Sequence, residues 1–299
     1  MSVSTNTFSI SRFSHTASET VSESINAEND RISVEISNGV ALVRLNRPEK
    51  LNALDIDSFR AIADTARSLA HNREVRAVIL QGSGKAFCSG LDVKSVTTNP
   101  LNAKKLLNRP EGSVSNLAQD VAFLWRAIPA PVIAVLHGVC FGGGLQIALG
   151  ADFRFATPSC KMSIMEAKWG LIPDMAGSVL LRELVSIDLA KELTMTARVF
   201  NGGEAKQYGL VSHVTEHPFE DAMKLVEEIS QRSPDSVAAA KKLFNETWLA
   251  SDQRALETET ELQKKLLVPP LKNTLAAATQ GLDLPLKMSY SLRQKFWTP

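Results

Sequence analysis

Two glycine-containing turns, each following a short apolar segment, could present backbone N–H groups to a ligand. In the first, Gly90 precedes Leu91; in the second, Gly142-Gly143-Gly144 opens a predicted helix. Glycine allows positive φ and close backbone approach, and the first turn of a helix leaves N–H groups free. Two such donors on one carbonyl oxygen form an oxyanion hole, worth ~10²–10³ in rate per donor. Either cluster alone also fits an ordinary turn, and neither has the spacing of a phosphate-binding loop.

Two carboxylates and one amide near these turns bear on proton transfer. Apolar neighbours at Ile164, Met165 and Trp169 predict a desolvated Glu166 of raised pKa; the alternative is a surface acid. Asp174 is either a second functional carboxylate or the N-cap of a helix after Pro173. The helix opened by the glycines carries Gln146, whose amide cannot exchange a proton near neutral pH. Gln146 could be an ordinary helix residue, or could bond to substrate or to Glu166.

Other reactive side chains fit structural roles better. Cys88 lacks a histidine in a recognisable partner motif, and His137 follows an apolar strand as a packed residue would. An odd count of three cysteines without CxxC pairing favours reduced thiols in an intracellular compartment. The spacing of Cys, His, Asp and Glu matches no metal site, so no metal is expected.

The composition is that of an ordinary globular protein. The 299 residues are 44% hydrophobic and 22% charged, with a formal net charge of +1. This balance predicts no general attraction to nucleic acid or anionic membranes. We expect no membrane span, because no apolar run approaches the roughly 20 residues that one requires.

The first thirty residues differ from the rest. Twelve residues between Ser2 and Ser24 are Ser or Thr, and the apolar residues lack a period. We predict a disordered extension over 1–30. A weak organelle transit segment is the alternative, since the stretch before Glu19 has no acid but only Arg12 as a basic residue. The predicted location is therefore the mitochondrial matrix or the cytoplasm.

The elements that must position the candidate residues follow a mixed pattern. Period-two segments around Asn38-Gly39 predict a hairpin, and Asp55 is placed to cap an amphipathic helix. Strand–strand–helix units recur to about residue 173, and helices dominate from Asp174, including one over Asp174–Val185. The pattern predicts an α/β domain over 31–215 and a helical C-terminal subdomain over 216–299.

Several motifs in register resemble the enoyl-CoA hydratase/isomerase (crotonase) superfamily over about residues 31–250. The matching segments are Asn46-Arg47-Pro48 with Asn52-Ala53-Leu54, Ala86-Phe87-Cys88-Ser89-Gly90-Leu91-Asp92, Pro131-Val132-Ile133-Ala134-Val135 with Gly142-Gly143-Gly144, Met165-Glu166 with Gly170-Leu171-Ile172-Pro173, and Ala205 with Gly209-Leu210-Val211. The tail after Val268 departs from the usual ending of that superfamily, so its contacts are left open.

The resemblance implies a crotonase-like spiral of ββα units with a helical trimerisation subdomain, assembled as a trimer or a dimer of trimers. It implies an acyl-CoA substrate, with coenzyme A as part of the substrate and no separate cofactor. The oxyanion donors implied are the N–H groups of Leu91 and Gly143. The substrate- or CoA-binding residues implied are Lys50, Leu51, Leu91, Asp92, Val93, Lys94 and Gln146.

One position departs informatively from this resemblance. Hydratases of the superfamily use two glutamates, and this chain has Gln146 at the first place and Glu166 at the second. Dienoyl-CoA isomerases carry an acid at the place of Asp174, but also an Asp at the place of Gln146. We therefore expect an isomerase that moves a double bond through an oxyanion-stabilised dienolate. An enoyl-CoA hydratase is the first alternative, and a non-catalytic or RNA-binding member of the fold is the second.

Overall fold

The computed structural model describes residues 31–97, 100–269, 271–282 and 288–299. The predicted disordered extension over 1–30 lies outside these residues. The strands are β1 (Ile32–Ser37), β2 (Val40–Leu45), β3 (Ala77–Gly82), β4 (Val132–Leu136), β5 (Val139–Phe141), β6 (Phe153–Ala156), β7 (Lys161–Ser163) and β8 (His213–Val214). The helices are α1 (Ile56–His71), α2 (Val93–Thr97), α3 (Pro100–Leu107), α4 (Leu117–Phe123), α5 (Gly143–Leu149), α6 (Gly177–Leu181), α7 (Ile187–Thr196), α8 (Gly202–Gln207), α9 (Pro218–Ser230), α10 (Pro234–Thr247), α11 (Asp252–Leu267) and α12 (Lys272–Gly281).

A six-stranded sheet, in the order β1-β2-β3-β4-β6-β8, forms the frame. The predicted hairpin is confirmed as β1 and β2, which pair antiparallel, and every later neighbour in this sheet pairs parallel. Parallel neighbours need a crossover, and α1 supplies the one between β2 and β3. Asp55 caps α1 as predicted, because its carboxylate accepts from the Ser58 N–H at 2.8 Å.

A second, two-stranded sheet of β5 and β7 lies beside the first, and the sequence pattern missed it. Isolated bridges extend it, from Cys88 to Cys140 on one side and from Met162 to Phe200 on the other. The chain therefore alternates between the sheets: β4 joins the large sheet and β5 the small one before α5, and β6 and β7 repeat this. This alternation agrees with the spiral of ββα units that the resemblance implied.

Both faces of the large sheet are covered. Val78 and Leu80 of β3 point into the main core, whereas Ile79 points to the opposite face. Ala222 and Val226 of α9 cover that opposite face. Burial on both faces explains the almost continuous apolar runs of β3 and β4. The predicted boundary after residue 215 thus falls just before a helix that packs on the sheet.

The helix predicted over Asp174–Val185 is wrong in length. The described helix is α6, preceded by Ala176 in the left-handed region at φ 64°. A non-glycine residue in this conformation ends any continuous helical path. Residues 170–176 are therefore a loop, and Asp174 lies within it.

A buried ammonium group joins α10 to the domain that carries the sheets. Lys241 donates to the carbonyl oxygens of Trp125 and Ala130, both at 3.1 Å, and to Asp152 at 2.7 Å. Asp152 also accepts from the Val132 N–H at the start of β4, at 2.7 Å. The three protons of the ammonium group are thus all engaged, which satisfies a charge that burial would otherwise penalise.

The C-terminal tail packs against its own chain. Arg293 is 1% exposed and donates to the carbonyl oxygens of Val75 and Asn72, each at 2.9 Å. Trp297 is buried against α10 and α11. Asp235, also buried, accepts from the Gln294 N–H at 2.8 Å. In the part of the chain that the structure describes, no helix is long and apolar enough to cross a membrane.

Candidate active site

The candidate residues follow three neighbouring segments of the small sheet. Cys88, β5 and β7 run parallel side by side. Gly90 and Leu91 follow the first, Gly143 follows the second, and Glu166 follows the third. Because the carboxyl ends of parallel strands meet at one edge, residues far apart in sequence come together there.

The Gly90–Leu91 turn lies against the start of α5. Gly90 has φ +95°, and a Cβ at that position would lie 3.8 Å from the Gly143 nitrogen. Leu91 faces Leu54 in an isolated bridge, whose two hydrogen bonds use the Gly90 carbonyl and the Asp92 N–H rather than the Leu91 N–H. Among the hydrogen bonds of the described residues, neither the Leu91 N–H nor the Gly143 N–H is a donor. Two backbone donors thus remain available close together.

Close packing around the glycines fixes this approach. Gly142, at φ 50° and ψ −119°, turns the chain from β5 into α5. A Cβ there would lie 3.3 Å from Oε1 of Glu166. Gly144 lies on the Cys88 segment, where a Cβ would fall 2.6 Å from the Cys88 Cβ. The three segments therefore approach each other closely at Gly142 and Gly144, where an added Cβ would press on a neighbouring segment.

Gln146 lies on α5, is 2% exposed and forms hydrogen bonds through both atoms of its amide group. Its Nε2 donates to Oε1 of Glu166 at 2.6 Å. Its Oε1 accepts from the N–H groups of Met175 at 2.9 Å and Gly177 at 3.1 Å. The two backbone donors identify the oxygen, because an amide nitrogen cannot accept them. The hydrogen bond to Glu166 that the sequence left open is present.

Glu166 is 9% exposed and begins the short 3-10 helix Glu166–Trp169. Its Oε2 is buried without a hydrogen-bond partner in the described structure. Burial raises the pKa of Glu166, and the negative charge of Asp174 raises it further, while the hydrogen bond from Gln146 acts in the opposite direction. The result is a carboxylate with one oxygen held and the other uncommitted, which suits proton transfer.

Asp174 lies on the loop after this 3-10 helix and does not cap α6, whose N-cap is Ala176 without a side-chain hydrogen bond. The residue is largely accessible to solvent. The surrounding chain nevertheless removes part of its hydration and raises the pKa of its carboxyl group. Its negative charge contributes to the raised pKa of Glu166.

One reason given for the burial of Glu166 is wrong. Trp169, expected to desolvate it, is 61% exposed, whereas Ile164 is buried as expected. Leu171 and Ile172, on the loop toward Asp174, are also exposed. The close approach of Gly142 and the hydrogen bond from Gln146 enclose Glu166 instead.

The predicted coenzyme A residues near the Gly90 turn differ in exposure. Lys50, Leu51 and Lys94 are exposed on the surface near the Gly90 turn. Asp92 is tied into the protein: it accepts from the Ser95 N–H at 3.2 Å, near the start of α2, and lies 3.4 Å from the Arg47 guanidinium. Leu91 and Val93, its neighbours on either side, are half-buried.

The remaining reactive side chains have structural surroundings. Burial raises the pKa of the Cys88 thiol to about 12, and its Sγ donates to the Asn52 carbonyl at 3.0 Å. His137 is half-buried and lies 3.1 Å from the Gly84 carbonyl oxygen. Within the described ranges, no group of three or more His, Cys, Asp or Glu residues could hold a metal ion.

Comparison with known proteins is consistent with this geometry. The family model described as enoyl-CoA hydratase/isomerase matches residues 35–270. The chain belongs to this family. Its fold is the crotonase fold, as in the enoyl-CoA hydratase of Bacillus anthracis, which matches with a TM-score of 0.78 and 27% identity over 87% of this chain and 98% of that one.

Relatives in this family include both hydratases and isomerases. A Bacillus subtilis protein, YngF, whose name assigns it to the enoyl-CoA hydratase/isomerase family, is 37% identical over 73% of this chain and 85% of its own length. The peroxisomal Δ(3,5)-Δ(2,4)-dienoyl-CoA isomerase of Arabidopsis thaliana is 31% identical over 78% of this chain and 87% of its own length. Family membership therefore establishes the enzyme class but not which reaction this chain performs.

Proposed function

We propose that this enzyme moves a carbon–carbon double bond within an acyl-CoA thioester. The observation that carries the proposal is the pairing of Gln146 with Glu166, which leaves one proton-transferring side chain with a buried, uncommitted oxygen. One relative named as an isomerase, the dienoyl-CoA isomerase of Arabidopsis thaliana, supports the same direction.

In the proposed reaction Oε2 of Glu166 removes a proton from C2 of a 3-enoyl thioester. The electron pair of that C–H bond spreads into the dienolate, whose negative charge lies on the thioester oxygen. The N–H groups of Leu91 and Gly143 are the donors proposed to hold that oxygen. The same carboxyl group then returns the proton at C4, and the double bond lies between C2 and C3. The raised pKa of Glu166 brings it closer to the operating pH, as general acid–base catalysis requires.

Hydration would require a group that activates water, and Gln146 cannot serve as that group. A group that activates water must accept a proton or a hydrogen bond from it. The Gln146 carbonyl oxygen has two lone pairs, and the Met175 and Gly177 N–H groups already use both. Gln146 can therefore offer water only an N–H donor, which does not increase its nucleophilicity.

The proposal is tested by comparing 3-enoyl-CoA, 3,5-dienoyl-CoA and 2-enoyl-CoA as substrates of the wild type and of Glu166→Gln. Isomerisation is expected to exceed hydration in the wild type. The variant should lose ~10²–10⁴ in kcat, because an amide cannot take up the proton. Binding of a non-reactive CoA thioester should survive, since backbone groups are the proposed oxyanion donors. Because the base must be ionised, kcat/KM should fall with decreasing pH at a value above 4.5, the ordinary glutamate pKa.

Glu216→Gln is the matched control, because Glu216 is exposed and its substitution should leave every rate unchanged. Full activity of Glu166→Gln on all three thioesters would contradict the mechanism. Hydration as the main wild-type reaction would favour the hydratase alternative. RNA binding without turnover would favour the non-catalytic alternative.

A further inference from the structure

The side chain of Gln146 links two segments that carry different parts of the site. Its nitrogen reaches Glu166, on the 3-10 helix that follows β7. Its oxygen reaches the N–H groups of Met175 and Gly177, at the end of the loop that carries Asp174. The planar amide group of Gln146 is therefore hydrogen-bonded to both the beginning and the end of residues 166–177. This stretch holds both candidate carboxylates.

The surroundings leave this amide little freedom. Gln146 is 2% exposed, and its carbonyl oxygen lies where a Cβ on Gly177 would approach to 2.7 Å. Exchanging the amide oxygen and nitrogen would set N–H groups against N–H groups at Met175 and Gly177. It would also leave Oε1 of Glu166 without its donor. The observed orientation is the one that satisfies all three contacts.

The choice of oxygen on Glu166 follows from this orientation. Oε1 is occupied by the Gln146 N–H, and Oε2 is buried without a partner in the described structure. We infer that Gln146 is a positioning residue that directs proton transfer to Oε2 of Glu166 and fixes the position of the Asp174 loop relative to it. The inference rests on the proposed function only for its kinetic consequences, since the state of Glu166 can also be measured without a substrate.

The substrate-free measurement uses the dependence of stability on pH. Folding raises the pKa of Glu166, so between its ordinary and its raised value the folded protein binds more protons than the unfolded chain. The free energy of unfolding therefore falls as pH rises across this window. Glu166→Gln removes this dependence. The pH dependence of the free energy of unfolding is therefore compared between a protein and its Glu166→Gln derivative. Asp174 is present in both, so the difference reports the pKa of Glu166.

The decisive variant is Gln146→Met, which keeps the length of the side chain but removes the donor and the acceptor. The upper end of the pH window is the pKa of Glu166 in the folded protein. Without the N–H donor it should move to higher pH by about one unit, which corresponds to the energy of a charge-assisted hydrogen bond. The acidic limb of kcat/KM should move equally. In addition, kcat should fall about tenfold more than the affinity for a non-reactive CoA thioester, because the loop that carries Asp174 is released.

Gly177→Ala disturbs the same contact without altering Gln146, because its Cβ would displace the Gln146 carbonyl oxygen. It should shift the window in the same direction. Gly281→Ala is the glycine control, since a Cβ there meets nothing within 4 Å. Thr258→Val is the control for losing a buried hydrogen bond elsewhere, because Thr258 donates only to the Arg254 carbonyl on α11. Neither control should move the window.

Gln146→Glu provides the test if Gln146→Met does not fold. Its new carboxyl oxygen would lie about where Nε2 now lies, 2.6 Å from Oε1 of Glu166. Two carboxyl groups so close share one proton, so the window should again extend to higher pH, and some 2-enoyl-CoA hydration should appear. An unchanged window in both Gln146→Glu and Gly177→Ala would overturn the positioning role. Failure of the wild type to isomerise any thioester, with the window still shifted, would overturn the proposed reaction alone.

Discussion

At the scale of single residues, Glu166 and Asp174 differ in enclosure although burial raises the pKa of both. Glu166 is nearly inaccessible and has a fixed hydrogen-bond donor. Asp174 lies on an open loop, where a bound substrate would complete its surroundings. A carboxyl group of this second kind suits a proton transfer at the far end of a longer conjugated system, such as C6 of a 3,5-dienoyl thioester.

Asp174→Asn tests whether the second carboxylate takes part. We expect kcat with 3,5-dienoyl-CoA to fall by ~10²–10⁴ and kcat with 3-enoyl-CoA to change little. The acidic limb of the 3-enoyl reaction should also move to lower pH, because the charge that raises the pKa of Glu166 is gone. Equal loss with both substrates, or with neither, would argue against two distinct carboxylate roles.

The sequence predicted the identity of the central residues better than their surroundings. Glu166 is buried, as its apolar neighbours suggested, and it is bonded to Gln146, one of the partners that the sequence left open. Trp169 was assigned to its enclosure and is exposed, because the 3-10 turn that begins at Glu166 directs it outward. The partners of the Gln146 oxygen are the backbone N–H groups of Met175 and Gly177. Every residue except proline has such a group, so the sequence could not identify these two as partners.

At the scale of elements, the small sheet brings the functional turns together. Local patterns predicted the hairpin and the cap of α1, since both depend on residues within a few positions of each other. They missed β5 and β7, because three residues are too few to show a period. The predicted helix over 174–185 failed at Ala176, which has a left-handed backbone and lies between two residues whose N–H groups bond to Gln146 on α5.

Gly144→Ala tests the contact between α5 and the Cys88 segment. The added Cβ would lie 2.6 Å from the Cys88 Cβ and 2.7 Å from its carbonyl oxygen, so the two elements must separate. Overpacking of this kind lowers the free energy of unfolding by about 1–3 kcal/mol. Turnover should fall by up to ~10² because the Gly143 donor moves relative to the Leu91 donor. Chemical denaturation and steady-state kinetics measure both effects. A variant that is destabilised yet fully active would separate the contact from the oxyanion site.

At the scale of the whole molecule, the C-terminal residues are structural parts of their own chain. The unusual ending was left open by the sequence, and it places Arg293 and Trp297 in buried positions beneath the helical region. A trimer or dimer of trimers remains a prediction. Exposed apolar side chains, including Phe244 on α10 and Trp248 directly after it, mark one surface that such an assembly could cover.

Arg293→Met tests the role of the tail. The substitution leaves the Val75 and Asn72 carbonyls without their donor and removes the positive charge near the buried Asp235. We expect the free energy of unfolding to fall by roughly 2–4 kcal/mol, measured by urea denaturation. Specific activity at low temperature should be retained, because the hydrogen bonds of Arg293 go to Val75 and Asn72 and not to Glu166 or the glycine turns. Loss of activity without loss of stability would instead indicate that the tail serves the site.

The contacts of Lys241 have a consequence for how the molecule comes apart. Pulling α10 away from the sheet domain would break three hydrogen bonds at once and leave a cation and the Asp152 carboxylate unpaired in a poorly hydrated junction. Such a half-open species should be scarcely populated. Calorimetry should therefore show one endotherm, and hydrogen exchange at α10 should require the same opening as exchange at β4.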